Sequence, residues 1–144
     1  MNKIEQAVSC YKDGFSCAPA VLSAYASEFG LDTETALKIA TGFGAGMGRM
    51  SETCGAVTGA FMVIGLKYGK SKVDDNQARE KTYELVREFA DRFKARNGSI
   101  VCKELLGCDL STPEGMKLAK ETGVTATLCP KFVQSAAEIL EEML

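Results

Sequence analysis

Between Glu52 and Lys67 the chain carries no charged residue: it reads Thr53-Cys54-Gly55-Ala56-Val57-Thr58-Gly59-Ala60-Phe61-Met62-Val63-Ile64-Gly65-Leu66. At helical pitch this stretch is apolar or small on every side, and a helix of that kind is buried all round. It falls short of the about 20 apolar residues that a bilayer span needs. The expected fold class is therefore all-α, a compact bundle of about six to eight helices around this buried central helix at about 53–68. Gly55 and Gly59 lie four apart with Ala56 and Ala60 beside them, so one face is nearly smooth. Either a neighbouring backbone or a cofactor approaches that face closely. Cys54 sits on the first turn, behind Thr53 or Ser51 as N-cap, where free N–H groups and the helix dipole stabilise a thiolate.

The remaining helices follow from apolar spacing and caps. In residues 3–12, Ile4, Ala7, Val8 and Tyr11 share a face, and Asp13-Gly14 breaks the helix. Ser16 caps a second helix, with Cys17 on its first turn, Pro19 where proline is tolerated and Gly30 at its end. A third runs from Asp32 or Thr33 to about Thr41. Gly42-Phe43-Gly44-Ala45-Gly46-Met47-Gly48-Arg49-Met50 alternates glycine too often for a helix interior and reads as a loop that passes close to something bulky or adopts positive φ. It lacks the spacing and the preceding strand of a dinucleotide fingerprint. Gly65-Leu66-Lys67-Tyr68-Gly69-Lys70-Ser71 is one residue short of a phosphate loop. Residues 75–96 form a long amphipathic helix with Leu85, Val86, Phe89 and Phe93 facing in. Ser99 caps a short helix over Ile100–Leu106, with Cys102 in its first turn. Ser111 or Thr112 caps a helix opened by Pro113 and closed by Gly123. Thr127 or Cys129 caps the last one, with Pro130 early. The brief alternation at Val124–Leu128 has no partner strand.

Composition narrows the function. The 144 residues are 46% hydrophobic and 25% charged, the profile of one globular domain, 1–144. The net charge is −2 with both signs interspersed, so nucleic acid is not an expected partner. Met1–Gln6 contains neither an apolar h-region nor twin arginines, so a cytoplasmic protein without a membrane partner is expected. A homo-oligomer is compatible with these features. The chain has no histidine, which removes Ser/His/Asp and Cys/His nucleophilic machinery, His-ligated haem and mixed Cys/His zinc sites.

Six cysteines remain: Cys10, Cys17, Cys54, Cys102, Cys108 and Cys129. In a reducing compartment such a set points to metal or redox chemistry, although any one of them can equally be a small core residue. Cys17, Cys54, Cys102 and Cys129 each fall on or just before the first turn of an expected helix, as an anionic thiolate–metal centre favours. Sulfur-rich sites suit iron–sulfur clusters, zinc or Cu(I). No C-x-x-C pair is present, so the ligands would come from separate helices. Three readings stay open. One is an electron-transfer protein holding a cysteine-ligated iron–sulfur cluster and serving a redox partner protein, with Gly55 and Gly59 making room for the cofactor. The second is a metal-free dithiol/disulfide oxidoreductase, with Cys17 and Cys54 as reactive thiols and Cys102 and Cys108 straddling a helix end. The third is a non-catalytic thiolate module with zinc, Cu(I) or no ligand.

Several segments together resemble the small redox-active family named for its cysteine pattern, C_GCAxxG_C_C. They are Gly14-Phe15-Ser16-Cys17-Ala18-Pro19-Ala20-Val21, the glycine-rich run 42–50, Cys54-Gly55-Ala56-Val57-Thr58-Gly59, Cys102-Lys103-Glu104-Leu105-Leu106-Gly107-Cys108-Asp109 and Cys129-Pro130-Lys131-Phe132-Val133. The resemblance spans nearly the whole chain. It implies a redox role with an iron–sulfur cluster, and places the family's four cysteines at Cys17, Cys54, Cys102 and Cys129, with Cys108 as a replacement or extra metal ligand and Cys10 outside the set. A related domain occurs in split-Soret cytochromes. This chain has no C-x-x-C-H motif and no export leader, so neither haem nor a periplasmic location carries over. The resemblance supplies no catalytic residue and no substrate.

Overall fold

The structure, a computed structural model, describes residues 1–144. Polar side-chain caps start four of its eight helices. Asn2 accepts the Glu5 N–H at 2.8 Å and opens α1 (Lys3–Lys12). Ser16 precedes α2 (Cys17–Ala26), which continues through one 3₁₀ turn, Ser27–Phe29, to Gly30 at φ 82°. Asp32 caps α3 (Thr33–Ala40) through the Thr35 N–H. The apolar stretch becomes α4 (Gly55–Tyr68). Asp75 caps α5 (Asn76–Asn97) through Ala78, and Gly98 ends it at φ 94°. The short α6 (Cys102–Leu106) follows. Thr112 then caps α7 (Pro113–Thr122), and α8 (Val124–Met143) closes the chain.

The all-α expectation holds, with no sheet and only an isolated antiparallel bridge, Thr53 to Val101. No helix is long and apolar enough to cross a membrane. α4 is the hub: Val57, Ala60, Val63 and Ile64 are fully buried, and α2 lies along its small-residue face with almost every residue buried. A Cβ on Gly59 would stand 2.8 Å from the Ala18 carbonyl oxygen, so glycine is what lets these two backbones meet. On the other side Phe61, Phe89, Phe93 and Phe132 form an aromatic row with ring centroids 6.0, 6.1 and 6.3 Å apart, joining α4, α5 and α8. Each large apolar side chain buried this way contributes about 1.5–3 kcal/mol.

Three expectations need correction. The last helix starts at Val124, not near Cys129: Gly123 ends α7 and immediately precedes α8, and Pro130 lies inside α8. Cys129 is therefore a mid-helix residue and has no N-terminal dipole behind it. The helix expected over Ile100–Leu106 begins at Cys102, and the Ser99 hydroxyl instead holds a turn through the Val101 N–H at 2.9 Å. The N-cap of α4 is Cys54 itself, not Thr53 or Ser51.

The glycine-rich loop has an unusual conformation. Ala45, Gly46, Met47, Gly48 and Arg49 all have φ between 56° and 68°, and Ser51 has φ 60°. Gly48 N–H bonds Gly44 O at 2.9 Å, closing one turn of left-handed helix. Left-handed geometry costs non-glycine residues about 1–2 kcal/mol each, and Ala45, Met47, Arg49 and Ser51 all bear it. Gly46 is required twice over: it has φ 66°, and a Cβ there would lie 2.6 Å from the Glu52 nitrogen. Strain of this size persists only where the surroundings hold it, and it marks the segment as a candidate functional element.

Candidate functional site

The left-handed turn feeds into a cavity of about 330 Å³ whose wall includes Cys17, Cys54, Cys102 and Cys129. Four separate helices deliver them. Cys17 starts α2, Cys54 caps α4, Cys102 starts α6 and Cys129 comes from the second turn of α8. Tyr11 adds a hydroxyl from α1, and the half-exposed Phe15 stands at the cavity's solvent side. No Lys, Arg, Asp or Glu lines the space.

Local structure explains the convergence. Gly55 N-terminates α4 and borders the cavity; a Cβ there would meet Ala18 N, Cys17 Cβ and Phe43 O at 3.0–3.2 Å. Its bare backbone thus sets Cys17 beside Cys54. Gly59, one turn further on, lies outside the cavity and against Ala18 and Val21. Cys102 is brought in by short antiparallel pairing: Cys54 N–H donates to Ile100 O at 2.8 Å, and Cys102 N–H donates to Glu52 O. Cys108 is buried but borders no part of the cavity, and its thiol donates to Leu106 O at 3.8 Å. Cys10 lies apart, with Ser23 Oγ at 3.6 Å.

The thiols are electrostatically unequal. The neighbouring Cys129 and Cys54, followed by burial, push the Cys17 pKa well above the ordinary thiol value. The Cys17 proton lowers the pKa of Cys54, against burial, with help from the Ala56 and Val57 N–H groups at the start of α4. It also lowers that of Cys129, which is further aided by the Tyr11 hydroxyl. One neutral thiol therefore stands between two sulfurs that favour the thiolate. Burial pushes Cys102 up to about 11, opposed by the Ser51 hydroxyl. Burial raises Tyr11 too, so its phenol stays protonated, and it donates to Thr125 O at 3.3 Å.

No three Cys, Asp or Glu side chains are drawn together closely enough to hold a single metal ion. Zinc bound by sulfur would require about 2.3 Å to each ligand. A cavity of about 330 Å³ has room for a group of many atoms. Two polar participants, Tyr11 and Ser51, escaped the sequence reading. Tyr11 has the spacing of a core residue, and Ser51 the look of an N-cap.

The model of one protein family, described as "Putative redox-active protein (C_GCAxxG_C_C)", matches residues 15–143. No curated protein and no solved structure matches the chain.

Proposed function

The chain belongs to the C_GCAxxG_C_C family, and from that premise we propose that it is an electron-transfer protein carrying an iron–sulfur cluster on Cys17, Cys54, Cys102 and Cys129. The observation that carries this reading is the meeting of four thiols from four helices around one uncharged cavity. The donor set fits: soft sulfur ligands select such clusters over hard cations, and the space exceeds what one ion needs. When bound, the cluster supplies one-electron chemistry. The chain's own residues do the rest. Cys54 and Cys129 offer sulfurs that favour the thiolate, Cys17 would give up its proton to become a ligand, and the start of α4 and the Tyr11 phenol lie beside the sulfurs they favour. Phe15, Leu105, Leu110 and Phe132 exclude water. A redox partner protein would exchange electrons at the Phe15 side, and a reducing, cytoplasmic setting suits six free thiols.

The test is iron and acid-labile sulfide analysis of protein purified and reconstituted without oxygen, on wild type, Cys54→Ser and Cys10→Ser. Stoichiometric iron and sulfide are expected in wild type and in Cys10→Ser, with content well below stoichiometric in Cys54→Ser at unchanged helicity. Absence of both elements from reconstituted wild type would sink the reading.

The shared cavity wall of Cys17, Cys54 and Cys129 favours a second reading, a metal-free dithiol/disulfide couple. Cys17 and either Cys54 or Cys129 would give up two electrons and two protons to the disulfide of a partner, forming one S–S bond here and releasing two thiols there. Thiol counts in metal-free protein across a glutathione series would then change by two.

A further inference from the structure

The two halves of α8 are anchored very differently. Beyond Pro130 the helix is locked into the core by Phe132, Val133, Ala136, Ala137 and Leu140, all of them buried. From Val124 to Lys131 no residue is buried, and Ala126, Thr127 and Lys131 are exposed. The sequence adds little helical strength in this first part. Val124, Thr125 and Thr127 are β-branched, and the helix start has neither a capping side chain nor an acidic residue facing its dipole. Pro130 withdraws the N–H that Ala126 O would accept, and its ring crowds that carbonyl. At the other end stands Gly123, at φ 66° with nothing within 4 Å of where a Cβ would be. One long-range hydrogen bond holds the stretch down, Tyr11 Oη donating to Thr125 O at 3.3 Å. Yet this loosely held stretch puts Thr125 and Cys129 on the cavity wall. The other three thiols of that wall, Cys17, Cys54 and Cys102, are buried, whereas Cys129 is half-buried.

We propose that residues 124–130 are a flap in the cavity wall, hinged at Gly123 and Pro130, which carries Thr125 and Cys129 outward and opens the cavity to its occupant while the rest of the fold stays closed. Three sulfurs then belong to a fixed frame, and the fourth joins them as the flap shuts. That use in loading rests on the cluster reading; the motion itself does not. The flap also gives the strand-like alternation at 124–128 a purpose. A segment whose sequence favours the helix only weakly leaves it at small cost, and such low-stability segments are the ones that open while the core remains folded.

Hydrogen–deuterium exchange of the reduced, metal-free protein, read by peptide mass spectrometry and corrected for intrinsic rates, tests the motion. The reporters are the amides of Leu128, Cys129 and Lys131, which helix geometry bonds to carbonyls four residues back. They are expected to exchange at least about tenfold faster than the amides of residues 133–140, because local opening precedes global unfolding. Ala126→Gly weakens the helix at an exposed position inside the flap and should speed the reporters about fivefold. Gln134→Gly makes the same kind of change at an exposed position in the anchored half and should leave them unchanged. Pro130→Ala returns the missing N–H and should slow them at least about tenfold. Reporter rates equal to those of residues 133–140, or equal effects of Ala126→Gly and Gln134→Gly, would overturn the flap. In reconstituted protein, loss of iron to an excess of ferrozine should follow the same order, about fivefold faster in Ala126→Gly and slowest in Pro130→Ala. Iron loss indifferent to both changes would overturn the opening of the cavity by this segment. If no cluster can be loaded, the proposed function fails, and the exchange rates alone decide the flap.

Discussion

Gly59 and Gly65 lie in the same helix and differ in what surrounds them. At Gly59 a Cβ would come within 2.8 Å of Ala18 O, 3.1 Å of Val21 Cβ and 3.2 Å of Ala18 Cα, whereas at Gly65 nothing lies within 4 Å. Alanine in a helix interior gains about 1 kcal/mol over glycine. Gly65→Ala collects that gain, which for a domain near this size raises Tm by about 2–4 °C. Gly59→Ala collects the same gain but must push α2 away, because the closest obstacle is backbone. Overpacking of this kind costs about 1–3 kcal/mol. Towards the upper end of that range, the net effect is a loss of about 1–2 kcal/mol. The displacement also opens the seam one turn from Cys17 and Cys54, so Cys17 moves away from Cys54 and Cys54 ionises less readily. Urea midpoints of the reduced, metal-free proteins, together with Cys54 labelling rates, measure both effects. A Gly59→Ala protein as stable as Gly65→Ala would refute the claim that close approach of α2 dictates glycine at this face.

Three further outcomes are expected. The reduced, metal-free protein should be most stable near pH 9. Cys54 and Cys129, lowered from 9.0, add stability present above that value and lost as pH falls through their folded values, while Cys17 and Cys102, raised from 9.0, add stability present below it and lost at about 1.4 kcal/mol per pH unit each above it; with no histidine to intrude, a flat urea midpoint between pH 7 and 10 would contradict the assigned shifts. Tyr11→Phe should leave the fold intact and slow Cys129 labelling about threefold by removing one hydroxyl donor, and an unchanged rate would show that the phenol spends its proton on Thr125 O, 3.3 Å away. Gly46→Ala should lose about 3 kcal/mol or more, since its Cβ meets backbone at 2.6–2.7 Å in left-handed geometry; a thermal melt within 2 °C of wild type would show that the turn can rearrange.

Sequence patterns revealed α4 because an uncharged stretch of that length has one home in water-soluble architecture. They revealed the starts of α3, α5 and α7 because Asp32, Asp75 and Thr112 each accept the N–H three residues on. The last helix was misread for a physical reason. Proline at a helix start and proline inside a helix look alike locally, and Gly123, shared between the end of α7 and the start of α8, leaves no capping side chain to mark the boundary. Pro130 has no N–H for the Ala126 carbonyl, and packing of Phe132, Val133, Ala136 and Ala137 holds the helix together across that gap. The left-handed turn was half legible. Glycine alternation announces positive φ at the glycines, but nothing announces it at Ala45, Met47 or Arg49, because tertiary contacts impose it there.

The cysteine set was visible as a set, and its geometry was not, because each contact in it is long-range. Cys17 meets Cys54 only through the absence of two side chains on α4, at Gly55 and Gly59. Cys102 meets the site only because residues 51–54 pair with residues 100–103. That pairing starts where the left-handed turn ends, so its strain and the placement of Cys102 belong to one device. A right-handed turn over residues 45–49 would send Ser51 and Glu52 elsewhere, and the Cys102 and Lys103 N–H groups would lose their partners together. The mid-helix position of Cys129 completes the logic. Lacking a helix N-terminus, it draws its stabilisation from side chains, the Cys17 thiol and the Tyr11 phenol, whereas Cys54 adds amides to the same Cys17 contact. Cys17 therefore acts on thiols from two different helices, and ionising it would disfavour the thiolate at both.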